Sequence, residues 1–317
     1  MQGFAVLRGH GGPVDSIEGC GTTLVTCSAA DGTVRLWDAR THRSHRCFAR
    51  VAGANHATLA GEKVLVATAR GELLCVDGRA TDRVVTVAAD ATLWRTQLSK
   101  EVLNQTAVCA EQAVVVACDD DGAVHTVRLD SGAHQTLEPR HTSLCTGLAL
   151  RSGCREAVSV GTDCVLKQWS LATGKLVTKS SAVAPEASTS SNGPQLCNPP
   201  HLLSVACDPR RGAVAAVACG DGRVLLWDCT KHKFIRSLSG GHSYSVSHVS
   251  WPSESLLLSA GNDCAALLWS VDPRKPKSGP AAPVRRIALS GKPNWAASDA
   301  GHAYFAIGDA VQIHSLT

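Results

Sequence analysis

The sequence predicts an all-β fold: a seven-bladed β-propeller of four-stranded blades, closed by its own N-terminal strand. Three observations predict it. First, a tight acidic or glycine turn, followed a few residues on by an aromatic or aliphatic strand end, recurs seven times in the 317 residues. A repeat of roughly 40–50 residues built this way is one sheet of a radial array. The clearest copies read Asp31-Gly32-Thr33-Val34-Arg35-Leu36-Trp37-Asp38 and Asp221-Gly222-Arg223-Val224-Leu225-Leu226-Trp227-Asp228. Asp163 to Trp169 and Asp263 to Trp269 keep the same six-residue spacing. Second, aromatic usage is inverted, with 7 Trp against 4 Phe and 2 Tyr. Trp37, Trp169, Trp227 and Trp269 sit at the repeat position, which accounts for the inversion. Third, the last unit ends at Ile313 without an outer strand, and Phe4–Arg8 can supply one. Closure of that kind removes exposed sheet edges.

Each blade follows in order. Blade 1 opens at Gly9-His10 and ends its third strand at Trp37-Asp38. Blade 2 is degenerate: Asn55 stands near the His position, Val64–Ala67 is the second strand, Arg70-Gly71 the turn, and Val76-Asp77 the third-strand end. Blade 3 lacks the His and the Trp but keeps Val114–Cys118, Asp121-Gly122 and Val127. Blades 4 and 5 carry His141, Asp163 and Trp169, then His201, Asp221 and Trp227. Blade 6 has Gly241-His242, Asp263 and Trp269; blade 7 has Trp295, Asp309 and Ile313. The whole chain, 1–317, is expected to form one domain. Two inserts break the spacing. Residues 180–200 have the composition of a flexible loop, and 272–286 carry five Lys/Arg and fit a solvated basic loop.

Bulk properties narrow the function. A chain of this length buries about three quarters of its unfolded surface and needs no staples. The formal net charge of +4 is too small to indicate nucleic acid or membrane binding. The 14 Cys lie singly in apolar runs, with Cys27, Cys118, Cys219 and Cys264 beside repeat turns, and none forms a CxxC pair. They are expected to be buried, reduced small hydrophobes rather than metal ligands. The N-terminus has no basic start or long apolar stretch, and no apolar run approaches the roughly 18 residues of a membrane span. The expectation is an intracellular, soluble protein, cytoplasmic or nuclear, monomeric outside complexes.

The repeat's polar residues have a structural use. In blade 4, His141, Ser159, Asp163 and Trp169 can form a chain from indole to Ser to His to Asp; in blade 6, His242, Ser259, Asp263 and Trp269 can do the same. Buried polar groups must satisfy one another. The His-Ser-Asp composition is therefore read as scaffold, not as a hydrolytic triad. No glycine-rich phosphate loop, metal cluster or nucleophile motif stands out, so neither enzyme activity nor any cofactor or metal is expected.

These motifs make the chain similar to WD-repeat proteins along its whole length. A narrower resemblance lies in Gln195-Leu196-Cys197-Asn198-Pro199, Ser259-Ala260-Gly261-Asn262-Asp263 and Lys292-Pro293-Asn294-Trp295, which resemble the WD repeat-containing protein 53 family. The weak blades 2 and 3, the polar insert and the basic insert agree in order. The resemblance implies a non-enzymatic substrate receptor docking on the damaged-DNA-binding adaptor of a cullin-RING ubiquitin ligase. Its adaptor signature is an Asp-x-Arg box after the third strand. Trp37-Asp38-Ala39-Arg40 and Val76-Asp77-Gly78-Arg79 match it in consecutive blades, making Asp38, Arg40, Asp77 and Arg79 the candidate adaptor-binding residues. Asp208-Pro209-Arg210 and Asp272-Pro273-Arg274 show that the triplet also occurs elsewhere.

The alternative reading is a reader of a peptide or histone tail at the channel mouth, or a WD-repeat assembly scaffold without ligase association. Positions after the His and before the turn Asp should line that mouth: Asp15, Asn104, Asp120, Thr146, Thr162, Ser247, Asn262 and Asn294. This ring is polar and slightly acidic, which suits a basic peptide. It lacks the aromatic cage that methyl-lysine needs.

Overall fold

A computed structural model describes residues 4–79, 82–87, 92–183, 200–210, 212–271 and 282–316. They form seven antiparallel sheets arranged as the blades of a propeller. The first strand of each blade packs against the first strands of its neighbours, in a ring from Ser16–Cys20 round to Trp295–Ser298. Burial follows from position. The second strand of blade 5, Val214–Cys219, is buried at every residue, because both its faces meet neighbouring blades. The outermost strand of blade 4, Lys175–Ser181, alternates exposed and half-buried, as a strand with one wet face must. The largest fully buried side chains include Trp169, Trp227 and Trp269, at the blade-to-blade seams.

Ring closure follows the expected route. The strand Ala5–Arg8 pairs antiparallel with Ala310–Ser315, from Ala5 opposite Ile313 to Arg8 opposite Ala310. Leu7, Val311 and Tyr304 then pack on Ile17, Leu24 and Trp37 of blade 1, so the seam is sealed by apolar contact as well as by the ladder.

Three expectations need correction. The repeat predicts four strands per blade, but blade 1 has five. After Asp77 the chain first lays Val84–Thr86 parallel along Cys47–Ala49 of blade 1. It then returns as Thr92–Gln97 to complete blade 2. The β-branched run Val84-Val85-Thr86 finds an open edge there, and Val87 drops into the core beneath it. The basic insert is also shorter than 272–286: Arg285 and Arg286 belong to the outer strand of blade 6, Arg285–Ala288. Residues 184–199 and 272–281 of the two inserts lie outside the described residues, as does Asp272-Pro273-Arg274. Finally, the cysteines are not all free. Cys109, ending the first strand of blade 3, and Cys154, in the first turn of blade 4, form a disulfide with their Cα atoms 5.9 Å apart. The two residues are separated by 45 in sequence, and only blade packing brings them together.

Candidate functional site

The polar chains of blades 4 and 6 are present. Trp169 Nε1 donates to Ser159 Oγ at 2.9 Å, Ser159 meets His141 Nε2 at 2.9 Å, and His141 Nδ1 lies 3.0 Å from Asp163. In blade 6 the corresponding distances are 2.8, 2.8 and 3.0 Å through Trp269, Ser259, His242 and Asp263. A neutral imidazole closes the chain with Ser donating to Nε2 and Nδ1–H donating to Asp, and an imidazolium closes it with Nε2–H donating to Ser instead. His242 fits the neutral form, since burial lowers its pKa and outweighs the pull of Asp263, whereas at His141 the burial is outweighed by hydrogen bonding, first of all to Asp163, and the pKa is raised to about 9. Ser159 and Ser259 are 0% exposed, and each already accepts an indole N–H, so no substrate carbonyl reaches them.

A third chain in blade 1 escaped the sequence reading. Trp37 donates to Thr26 at 2.8 Å, Thr26 meets His10 at 2.8 Å, and His10 meets Asp31 at 2.9 Å. The Asp-to-Trp spacing was the available signal. Thr replaces Ser there, one residue further from the Trp than in blades 4 and 6.

The two Asp-x-Arg boxes lie in the turns after the third strands of blades 1 and 2. Each box turn is clamped to the first turn of its own blade, by Ala39 N–H to Thr22 O at 2.8 Å and by Gly78 N–H to Glu62 O at 2.7 Å. Both boxes therefore open on the same face. Gly78 is required by that clamp, because a Cβ there would come within 2.3 Å of the Glu62 carbonyl oxygen. The Asp does local work. Asp38 Oδ1 accepts the N–H groups of Arg40 and Thr41, and Asp77 Oδ1 accepts the N–H of Arg79. Asp228 in blade 5 makes the same turn with Thr230 and Lys231, without an Arg. What distinguishes blades 1 and 2 is thus the guanidinium, not the carboxylate. Arg79 bonds back to Asp77, and this hydrogen bonding holds the Asp77 carboxyl down at about 2. Arg40 is exposed and makes no ion pair among the described residues. Between the boxes, the Arg46 guanidinium donates to the Gly78 carbonyl and ties blade 1 to the second box.

The polar positions expected at the channel mouth lie on the opposite face, where the first strands begin. Their geometry shows a repeated device. The first-strand ladders skip one residue in five blades: Asn55, Asn104, Thr146, Leu203 and Ser247. A bulge frees that side chain from the pleat. Asn55 donates to Leu103 O, Asn104 to Cys145 O and Thr146 to Leu202 O, at 2.9, 3.0 and 2.6 Å. Asn294 does the same to Val14 O at 3.2 Å. Each bond crosses to the next blade. Asp120 accepts from Asn104, Thr162 donates to Ser143, Asn262 to Ser245, Ser247 to Ala260 O, and Asp15 accepts from Ala29 N–H. Most of these groups are half-buried and already engaged, so a peptide at this mouth would have to share or exchange their bonds.

Below the mouth the axis holds a cavity of about 380 Å³. Trp295 stands in it between two imidazoles, with His56 and His248 each 4.8 Å from the indole. Burial, then the neighbouring His56, push His248 down to about 4. His56 Nδ1 meets Thr106, while its Nε2 lies 3.6 Å from Glu18. Nε2 of His56 and Nδ1 of His248 are buried without a hydrogen-bond partner. His248 and Trp295 directly follow the expected mouth positions Ser247 and Asn294, but Asn55, before His56, was expected near the His position, so the sequence spacing did not join the three.

Against this geometry, the WD domain, G-beta repeat family matches the chain over residues 3–38 and 232–270. Those stretches cover the blade 1 and blade 6 copies in which the polar chain and the terminal Trp are complete. The match supports a WD-repeat protein, a class that works as a protein-interaction scaffold.

Proposed function

We propose that this chain is a substrate receptor whose box-bearing face docks on the damaged-DNA-binding adaptor of a cullin-RING ubiquitin ligase, leaving the opposite face for a client protein. One observation carries the reading. Two Asp-x-Arg turns in consecutive blades open on one face, each with its Arg exposed and its backbone clamped. A preset turn presents a guanidinium at low entropic cost, and its planar fork suits bidentate contact with a partner carboxylate or carbonyl. The resemblance to the WD repeat-containing protein 53 family supports the same assignment. A cytoplasmic or nuclear location is part of this reading. The Cys109–Cys154 bridge weighs the other way, since disulfides persist mainly in oxidising compartments.

The test is a pull-down of the purified adaptor with wild type and with Arg40→Ala/Arg79→Ala. Loss of a charge-assisted contact at an interface weakens binding by about thirtyfold or more, enough to abolish a micromolar complex. The variant should melt as wild type does, because neither guanidinium touches the core. Adaptor retained at wild-type levels would leave only the scaffold.

A further inference from the structure

We propose that the outer end of the seam between blades 7 and 1 is a docking site for a phosphorylated segment of a protein partner. The seam opens outward into a cleft of about 800 Å³ lined by Arg8, Arg35, His42, Arg43, His45 and Arg83. Among the described residues no carboxylate lines it. Arg40 and Arg79 are not part of it, so this site is independent of the adaptor reading.

Three separate segments converge to build the cleft. Arg8 ends the closing strand, opposite Ala310. Arg35 lies in the third strand of blade 1, opposite Cys47, and Arg43 opens the fourth, opposite Asp38. Arg83 is brought in by the fifth strand, through its carbonyl, which accepts the Cys47 N–H at 2.9 Å. Arg8, Arg35, Arg43 and Arg83 make no ion pair among the described residues. Like charges gathered this way repel one another. The Nε of Arg35 is moreover buried without a hydrogen-bond partner. A buried, unpaired guanidinium N–H is costly when the site is empty and is satisfied by an anion that enters.

The chemistry narrows the occupant. Several guanidinium forks facing one opening suit the three acceptor oxygens and double charge of a phosphate monoester better than a single carboxylate. Phe, Tyr and Trp are absent from its lining among the described residues, and the chain's net charge is only +4. Those features disfavour a nucleic acid strand, which needs an extended basic groove with stacking platforms. Beside the cleft, Val84 is 62% exposed on the outermost strand of the five-stranded sheet. That edge, unpaired among the described strands, can take an extended peptide whose phosphate reaches the arginines.

The experiment uses the full chain and a degenerate peptide pool with a fixed central phosphoserine. Controls are the same pool with serine, a single-stranded RNA, and inorganic phosphate as competitor. The phosphorylated pool should bind at least about tenfold more tightly than the serine pool. Arg35→Gln/Arg43→Gln should remove that preference, and Arg8→Gln, on a different segment, should weaken it. Arg40→Ala/Arg79→Ala should keep it. Circular dichroism and melting of each variant separate lost binding from lost folding, and Arg8→Gln carries the test if the double variant unfolds. Equal binding of the two pools overturns the proposal. So does tighter binding of the RNA, or complete displacement by an equal concentration of inorganic phosphate, which would mark an unspecific anion hole.

Discussion

Blades 4 and 5 are neighbours, carry the same Asp-to-Trp spacing, and solve the same problem differently. In blade 4 the Trp169 indole is satisfied within its own sheet, through Ser159, His141 and Asp163. In blade 5 the position of Ser159 is taken by Val217, and Trp227 instead donates to Gln168 of blade 4 at 3.1 Å. His201 turns away to the Thr162 carbonyl at 2.5 Å and makes no bond with Asp221. Blade 3, which has no repeat Trp, keeps a different buried pair, His125 with Asp119 at 3.0 Å. The constant requirement is a large buried side chain whose polar atom is paired. The His-Ser-Asp chain meets it locally and ties the blade's own turns together. The blade 5 solution spends the same hydrogen bond on joining two blades.

The largest expected effect is loss of a seam tryptophan. Trp269→Ala should cost about 3–5 kcal/mol by opening a cavity, and it also removes the indole donor from Ser259. Trp227→Ala should cost as much, because burial and not the polar chain dominates. Thermal melting of the two variants checks this, with a fall on the order of ten degrees for each. A shift of only a degree or two in either would break the equivalence.

Acid should act next. Burial holds His248 near 4 and lowers His10 and His242 as well. The unfolded chain binds these protons near pH 6.5, so between about 6.5 and 4 it holds more protons than the native state. Stability therefore rises with pH through that window and is lost as pH falls from 6.5. His248 alone accounts for at most about 3 kcal/mol. Urea titrations at pH 7.5 and 5 should show His248→Asn less acid-sensitive than wild type. An unchanged difference would remove His248 from the account.

The inter-blade bond of Trp227 is a smaller quantity. Gln168→Leu should cost about 1–3 kcal/mol by leaving the indole N–H unpaired. A double-mutant cycle with Trp227→Phe should return a coupling of at least about 0.5 kcal/mol. The same cycle between Gln168 and Trp269, in a distant blade, should return none. The smallest effect concerns the turns. Cys264 sits at φ 55° and Cys164 at φ 60°, where the matching positions in blades 1, 3 and 5 are Gly32, Gly122 and Gly222. Cys264→Gly should relieve left-handed strain of about 1 kcal/mol, less the entropy that glycine adds to the unfolded chain. A net gain of a few tenths of a kcal/mol by urea titration would sharpen the comparison, and a loss would contradict it.

Much of the fold was legible because its signals are local. The Asp-Gly turn needs a left-handed residue, the third strand needs an apolar alternation, and the Trp position follows at fixed distance. Seven such units, with Phe4–Arg8 left to close the ring, follow from one-dimensional spacing. So do the polar chains of blades 4 and 6, whose Ser stands ten residues before its Trp. The blade 1 chain shows the limit: one extra residue and a Thr hide Thr26, although His10, Asp31 and Trp37 were all in view. The Asp-x-Arg boxes were found the same way, since a turn is a local object.

By itself the sequence determined the number of blades, the turn chemistry and the closing strand: blades and turns recur within one repeat, and Phe4–Arg8 is the segment left over when the last unit lacks an outer strand. Tertiary structure alone decided the fifth strand of blade 1, the Cys109–Cys154 bond, the Gln168–Trp227 link and the His56–Trp295–His248 stack. It also decided that Arg8, Arg35, Arg43 and Arg83 share one cleft. Each of those joins segments from different repeats. Their meeting is set by how blades pack round an axis and where bulges release side chains, a register that no spacing along the chain records.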